Sequence, residues 1–175
     1  MTEIGIVMEP VPRCSAEMAS LIEQMGFDMV LCPDTQNLSA DPYGQLSLIA
    51  NATSTLKMGT GVTHPVTREA AVTASAMASL QEESSGRAIC GIGRGDSSAA
   101  HIGKKQATTE ELRDYVLRVQ SYLIDVNGNI EFPVLGTLKL SGLSRVQATK
   151  LLKDKLSEYL VDPIVNIRLI NFTVT

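Results

Sequence analysis

Short apolar runs alternate with longer amphipathic stretches over the first two thirds of the chain. This rhythm is typical of βα units arranged around a parallel sheet. Strands are predicted at residues 4–8, 29–32, 56–59 and 88–93, and helices at residues 15–25, 42–52, 67–82 and 109–123. We therefore predict an α/β fold in which four βα units with parallel strands occupy residues 1–123.

Local signals mark several ends of the predicted helices. Ser15 is a candidate N-cap of the first helix, and Gly26 is a candidate C-terminal stop. Asp41 followed by Pro42 marks the start of the second helix, because proline is favoured at the first helical position.

The rhythm changes near residue 124, where the pattern becomes that of a hairpin. Two short strands are followed by a helix that begins at Ser144 and ends near Leu160, and then by a strand at 164–174. The sequence thus predicts a second segment, a ββαβ module over residues 124–175.

Four parallel strands leave two open sheet edges, which invite pairing with another strand. One hypothesis is that strands of the ββαβ module cover one edge and complete a single mixed sheet. The competing hypothesis is that two chains associate as a homo-oligomer, so that eight strands approximate a closed barrel.

The composition indicates a globular chain with a core, because 44% of the residues are hydrophobic. The net charge is −4 and no stretch concentrates Lys and Arg, so a nucleic-acid partner is not expected. No apolar run approaches the ~20 residues that cross a bilayer, and the N-terminus lacks the pattern of a signal peptide. We expect a cytoplasmic protein without a membrane partner.

Cysteine and histidine give little support for a metal site. Cys14, Cys32 and Cys90 have no metal-type spacing and are interpreted as reduced thiols. His64 and His101 have no nearby carboxylate pair, which argues against a metal centre and against a Ser-His-Asp triad.

Three loops that follow strands carry the candidate chemistry. They contain Cys-Pro-Asp-Thr at 32–35, Gly-Thr-Gly-Val-Thr-His-Pro at 59–65 and Gly-Ile-Gly-Arg-Gly-Asp-Ser-Ser at 91–98. In parallel βα proteins such loops open on the same side of the sheet and face the ligand.

Each loop taken alone is ambiguous. The glycines at 91–95 match part of a phosphate-binding fingerprint, but the spacing fits a tight strand-to-helix turn as well. Asp34 either accepts a hydrogen bond from a ligand or caps its own loop. Arg94 and Asp96 either meet a ligand or pair with neighbouring charges.

The order of the motifs is more specific. Residues 26–37 (GFDMVLCPDTQN), 56–108 (from LKMGTGVTHPVT through CGIGRGDSSAAHIGKKQAT) and 111–123 (ELRDYVLRVQSYL) together resemble luciferase-like oxidoreductases. The resemblance is to the deazaflavin-dependent reductases of the methylene-tetrahydromethanopterin reductase type in particular, and it covers residues 2–123. It implies the N-terminal half of a (β/α)8 barrel.

The resemblance also implies roles for the first two loops. Gly61, Val62 and Thr63 match a bulge that lies against the flavin or deazaflavin ring, with a non-prolyl cis peptide between the first two. Asp34 and Thr35 match positions that approach the ring and the reacting substrate, and are the implied catalytic residues of this loop.

The third loop completes the implied site. Arg94, Gly95 and Ser97 match contacts to the ring edge, and Asp96 matches an acidic proton donor. The implied chemistry is hydride transfer between a deazaflavin coenzyme (coenzyme F420) or FMN and a small organic substrate. A complete barrel needs ~250 residues and usually grips phosphate after its seventh and eighth strands, so tight cofactor binding is not expected of a half-barrel.

Residues 122–172 resemble the module of bacterial polysaccharide biosynthesis and export proteins, which implies assembly with partners and no catalytic group. The two resemblances suggest a chimera of two families. Three functions stay open: an oxidoreductase fragment, a recombined or engineered chain without native activity, and a polysaccharide-export assembly module.

Overall fold

The computed structural model describes residues 2–121, 128–132, 135–165 and 167. The described residues divide into two compact units, one formed by those up to Val116 and the other by those from Leu117 onward. The helices of the described residues include none that is long and apolar enough to cross a membrane.

The first unit is built on a four-stranded parallel sheet, as predicted. Its strands are β1 (Gly5–Val7), β2 (Met29–Cys32), β3 (Lys57–Thr63) and β4 (Ala88–Ile92). They lie in the order β1-β2-β3-β4, and each is parallel to its neighbour. The α/β fold class with four βα units is confirmed.

Five helices accompany these strands. They are α1 (Ser15–Gln24), α2 (Pro42–Ala52), α3 (Ala70–Glu83), α4 (Asp96–His101) and α5 (Thr109–Ser121). The short helix α4 was not predicted, because its six residues are too few to show a helical period. The predicted start of the third helix at residue 67 was wrong, since residues 65–67 form a turn.

Two of the three predicted helix signals are confirmed. The Asp41 side chain accepts hydrogen bonds from the backbone N–H groups of Tyr43 (3.0 Å) and Gly44 (3.2 Å), and Gly26 follows α1 with a φ of +85°. The prediction that Ser15 is the N-cap of α1 was wrong. Ser15 is the first helical residue, and its hydroxyl donates to the Val11 carbonyl at 2.8 Å.

Several even-numbered residues of β2, β3 and β4 belong to the core. Among them are Val30, Cys32, Met58 and Cys90, which pack with apolar side chains of α1, α2 and α3 in one cluster. Cys32 and Cys90 are free thiols, and burial raises their pKa values to about 12 and about 11. Buried, neutral thiols agree with the sequence interpretation of these two residues.

Strand β3 is longer than predicted because its glycines do not end it. The sequence pattern stops at Gly59, since glycine weakens a strand interior. In the structure, a Cβ at Gly59 would collide with the Ile89 carbonyl, and a Cβ at Gly91 would collide with the Thr60 carbonyl. Strands β3 and β4 therefore approach so closely that these positions exclude a side chain.

Besides residues 117–121 of α5, the described part of the second unit contains a hairpin and one further helix. Strands β5 (Asn129–Phe132) and β6 (Gly136–Lys139) pair antiparallel, and α6 (Arg145–Leu156) follows. Ser144 caps α6 through a reciprocal pair of hydrogen bonds with Gln147, which confirms its predicted N-cap. The helix ends before Leu160, which is 55% exposed, so the predicted helix end was too late.

The mixed-sheet hypothesis fails for the two strands of the hairpin. In the described part of the chain, β5 and β6 form their own two-stranded sheet and pair with each other. The strand predicted at 164–174 falls mostly outside the described residues, as does the predicted junction near residue 124.

Glu23 links the end of α1 to the segment that leads into β3. Its carboxylate accepts hydrogen bonds from the backbone N–H groups of Thr55 (2.6 Å), Leu56 (2.8 Å) and Ser54 (2.9 Å) and from the Thr55 hydroxyl (2.9 Å). These bonds, the Thr55 amide foremost, lower the pKa of Glu23 from 4.5 to about 2.

This lowered pKa predicts an acid-sensitive contribution to stability. The folded state holds the Glu23 carboxylate ionised, so the contribution is present above pH 4.5 and is lost as the pH falls toward 2. The variant Glu23→Gln should lose stability at pH 7 and differ less from the wild type at pH 3, as measured by urea unfolding. The exposed Glu17→Gln serves as the control, and an equal effect of Glu23→Gln at both pH values would contradict the linkage.

The close approach of β3 and β4 predicts opposite effects of two glycine substitutions. Gly91→Ala should destabilise the fold by about 2 kcal/mol, because the new methyl group meets the backbone of the neighbouring strand. Gly44→Ala, in α2 with open space around it, should stabilise by about 0.5 kcal/mol. Thermal and urea unfolding measure both, and equal effects would refute the steric explanation.

Candidate functional site

The carboxyl ends of β2, β3 and β4 lie side by side because the three strands are parallel neighbours. Asp34 follows β2, Val62 and Thr63 end β3, and the segment from Arg94 follows β4. The topology therefore brings all three predicted loops to one edge of the sheet.

The end of β3 has the bulge and the peptide geometry that the family resemblance implied. The pairing of β3 with β4 shifts register between Thr60 and Thr63, and the Gly61–Val62 peptide bond is cis. Val62 remains 42% exposed. A Cβ at Gly93 would lie 2.6 Å from Val62 Cγ2, so this part of the edge is formed by bare backbone and one exposed valine.

Asp34 is a buried anchor that joins two of the loops. Its side chain is 2% exposed. One oxygen accepts from Gln36 Nε2 at 2.7 Å, and the other accepts from Thr63 Oγ1 at 2.8 Å and from Arg68 Nε at 3.0 Å. Both carboxylate oxygens thus accept from protein donors, and Asp34 connects its own loop to the end of β3 and to Arg68.

Arg68 is the central residue of the site that sequence reasoning missed. Besides Asp34, its guanidinium binds Asp41 at 2.6 Å and lies 4.1 Å above the centre of the Tyr43 ring. Burial alone would lower the pKa of Arg68, but Asp34 and Asp41 raise it on balance, so it stays charged. Its segment, Thr-Arg-Glu before α3, has no pattern that distinguishes it from an ordinary surface charge.

His64 connects the β3 end to the loop after β4. The residue is fully buried, and a Cβ at Gly95 would lie 2.6 Å from its Cγ. Gly95 also has a φ of +81°, which L-residues rarely adopt. Burial lowers the pKa of His64 although the Asp34 charge opposes this, so the ring is neutral at pH 7.

Arg94 connects the two ends of the loop after β4 by binding Ala107. The guanidinium Nε donates to the Ala107 carbonyl at 2.7 Å, and the Ala107 N–H donates to the Arg94 carbonyl at 3.0 Å. With its amide nitrogen directed at Asp96, Gln106 accepts from Arg94 Nη2 at 3.1 Å. Arg94 therefore holds the loop through backbone and amide groups.

The remaining predicted residues differ in accessibility. Asp96 and Ser97 are exposed in the first turn of α4, whereas the neighbouring Ser98 is buried. Thr35 is half-buried in a turn in which its carbonyl accepts from the Ser39 N–H at 2.9 Å. Asp96 is thus the predicted catalytic carboxylate that solvent reaches.

Comparison with known proteins places the chain in a family. Residues 4–136 match the luciferase-like monooxygenase family, and the chain belongs to it. It is 49% identical over 83 residues to a 5,10-methylenetetrahydromethanopterin reductase of Methanolobus tindarius, over 47% of this chain and 25% of that protein. It is 34% identical over 105 residues to an F420-dependent hydroxymycolic acid dehydrogenase of Mycobacterium tuberculosis, over 55% of this chain and 28% of that protein.

A solved structure extends the similarity to the fold. The coenzyme F420-dependent tetrahydromethanopterin reductase of Methanopyrus kandleri superposes with a TM-score of 0.64 and 28% identity, covering 74% of this chain and 42% of that one. The chain therefore spans less than half of the solved reductase and about a quarter of the curated relative from Methanolobus tindarius. The predicted luciferase-like resemblance of the N-terminal part is confirmed, and the family match extends to residue 136, beyond the predicted limit at 123. The resemblance of the tail to export proteins stays a prediction.

The contrast between the two aspartates predicts different responses to the same substitution. Asp34→Asn leaves Arg68 facing a neutral group in a buried setting and should destabilise the protein by about 3 kcal/mol. Asp96→Asn, on the exposed turn of α4, should change stability by less than about 0.5 kcal/mol. Urea unfolding measures both, and a stable Asp34→Asn variant would contradict the anchor role.

Proposed function

We propose that the chain forms the cofactor-facing edge of a luciferase-like oxidoreductase that transfers hydride between a deazaflavin or flavin and a small organic substrate. The observation that carries this proposal is the edge made by Gly61, the exposed Val62 and Gly93 between three loops, where two of the three residues carry no side chain. A Cβ at Gly61 would lie 2.8 Å from Leu31 Cβ, and a Cβ at Gly93 would lie 2.6 Å from Val62 Cγ2. Side chains at the two glycines would therefore displace Leu31 and Val62 and change the shape of this edge.

The relatives favour a deazaflavin over FMN. The names of the Mycobacterium tuberculosis dehydrogenase and of the solved Methanopyrus kandleri reductase both include dependence on coenzyme F420. The second of these is also a structural match to most of this chain. We take coenzyme F420 as the first candidate and FMN as the second.

The residues of the edge fit such a group by chemistry. When bound, the deazaflavin supplies the hydride chemistry, and the protein orients the group and its substrate. Val62 offers an apolar contact for a ring, with Gly61 and Thr63 forming the bulge around it. Gly95 lies on the adjoining loop after β4, which Arg94 holds closed, and Ser97 lies in the first turn of α4.

The two carboxylates take different parts in this proposal. Asp96 is exposed and is the group suited to exchange a proton with a substrate or with water. Asp34 is enclosed by its donors and contributes by holding Thr63 in place, while Thr35 lies beside it in the same loop.

Direct titration tests the proposal. The purified chain should bind coenzyme F420 with a dissociation constant on the order of 10 μM, followed by coenzyme fluorescence, with FMN titrated in parallel. Absence of binding of either compound at ~100 μM would refute the cofactor proposal.

A matched pair of glycine variants locates the binding. Gly95→Ala should weaken coenzyme binding about tenfold, because a methyl group there collides with His64 and displaces the loop. Gly103→Ala introduces the same strained backbone, with a φ of +73°, but meets no atom within 4 Å. Equal losses in the two variants would show that backbone strain, and not the His64 contact, governs affinity.

A further inference from the structure

Arg68 joins the end of β2 to the beginning of α2. Its Nε binds Asp34 at 3.0 Å and its Nη2 binds Asp41, the N-cap of α2, at 2.6 Å. The guanidinium is planar and presents donors in fixed directions, so one side chain can hold two carboxylates at once. A lysine at this position would keep the charge but could not reproduce this two-sided contact.

The connection continues from Asp34 into the proposed site. Thr63 is fully buried, and its hydroxyl donates to the same Asp34 oxygen that Arg68 binds. The Thr63 carbonyl accepts from the Gly93 N–H at 2.8 Å. A series of direct contacts thus leads from Arg68 to the glycine beneath Val62.

Because Asp34 is buried, the contacts that lead from Arg68 to Gly93 depend on Arg68. Arg68 is the cation that balances Asp34, which has 2% exposure, so water cannot replace it without opening the structure. If Asp34 shifts to find another partner, Thr63 loses its acceptor. The end of β3 would then move relative to β4.

We propose that Arg68 is a positioning residue that fixes the Gly61–Val62 bulge and Gly93 through Asp34 and Thr63. Holding the bulge is a property of the chain alone. The consequence for coenzyme binding rests on the proposed function.

Arg87 provides a matched control at the opposite end of the sheet. It is also partly buried, and its guanidinium donates to the carbonyls of Ser84, Leu56, Ala50 and Thr53 and to the Thr53 hydroxyl, at 2.7 to 3.0 Å. Replacing either arginine by lysine removes a partly buried guanidinium. Only the replacement of Arg68 should affect the end of β3.

Amide hydrogen exchange measured by NMR on the ligand-free chain tests the positioning role. In Arg68→Lys, exchange of the Gly93 amide should accelerate at least about tenfold, while the Met58 amide, which donates to the Arg87 carbonyl, stays near its wild-type rate. In Arg87→Lys, exchange of the Met58 amide should accelerate, while the Gly93 amide stays near its wild-type rate. Equal acceleration of both amides in both variants would mean loss of global stability and would overturn the proposal, as would an unchanged Gly93 amide in Arg68→Lys.

Coenzyme titration of the same variants tests the consequence. Arg68→Lys should weaken coenzyme F420 binding about tenfold, and Arg87→Lys should leave it within about twofold of the wild type. If the wild type binds no coenzyme, the proposed function fails while the exchange data still decide the role of Arg68. If Arg68→Lys loosens the bulge but binds coenzyme normally, the proposed link between bulge and affinity is wrong.

Discussion

Asp34 is 2% exposed, so its negative charge must be balanced within the protein. Arg68 supplies the balance, and Thr63 and Gln36 supply the remaining hydrogen bonds. Since these groups come from three different segments, satisfying one carboxylate fixes where the segments lie. The candidate site depends on this constraint, because the bulge at the end of β3 is held by Thr63.

A second constraint acts between β3 and β4. Glycines at 59 and 91 let the two backbones approach, and Gly93 and Gly95 leave room for Val62 and His64. Few side chains therefore project from this edge, and Val62 is 42% exposed. Glycines thus account both for the close packing of the two strands and for the small number of side chains at their ends.

These two constraints separate residues that look alike in the sequence. Asp34 and Asp96 are both aspartates after a strand, yet one is enclosed by donors and the other is open to solvent. Arg68 and Arg87 are both arginines beside α3, yet one connects carboxylates at the site and the other binds backbone carbonyls at the far end. Mechanistic roles follow from surroundings more than from residue type.

Apolar periodicity and local motifs lie in contiguous stretches of the chain. The four strands, most of the helices, the caps at Asp41 and Ser144 and the family could therefore be predicted from the sequence. Three features became visible only in the folded chain: β3 continues to Thr63, Arg68 is a central group of the site, and the two strands of the hairpin pair with each other. Each of these depends on a partner distant in the chain: the β4 backbone, the Asp34 carboxylate and the choice among free strand edges. Local patterns cannot specify such partners, since these contacts stabilise the protein only after folding has brought distant parts of the chain together.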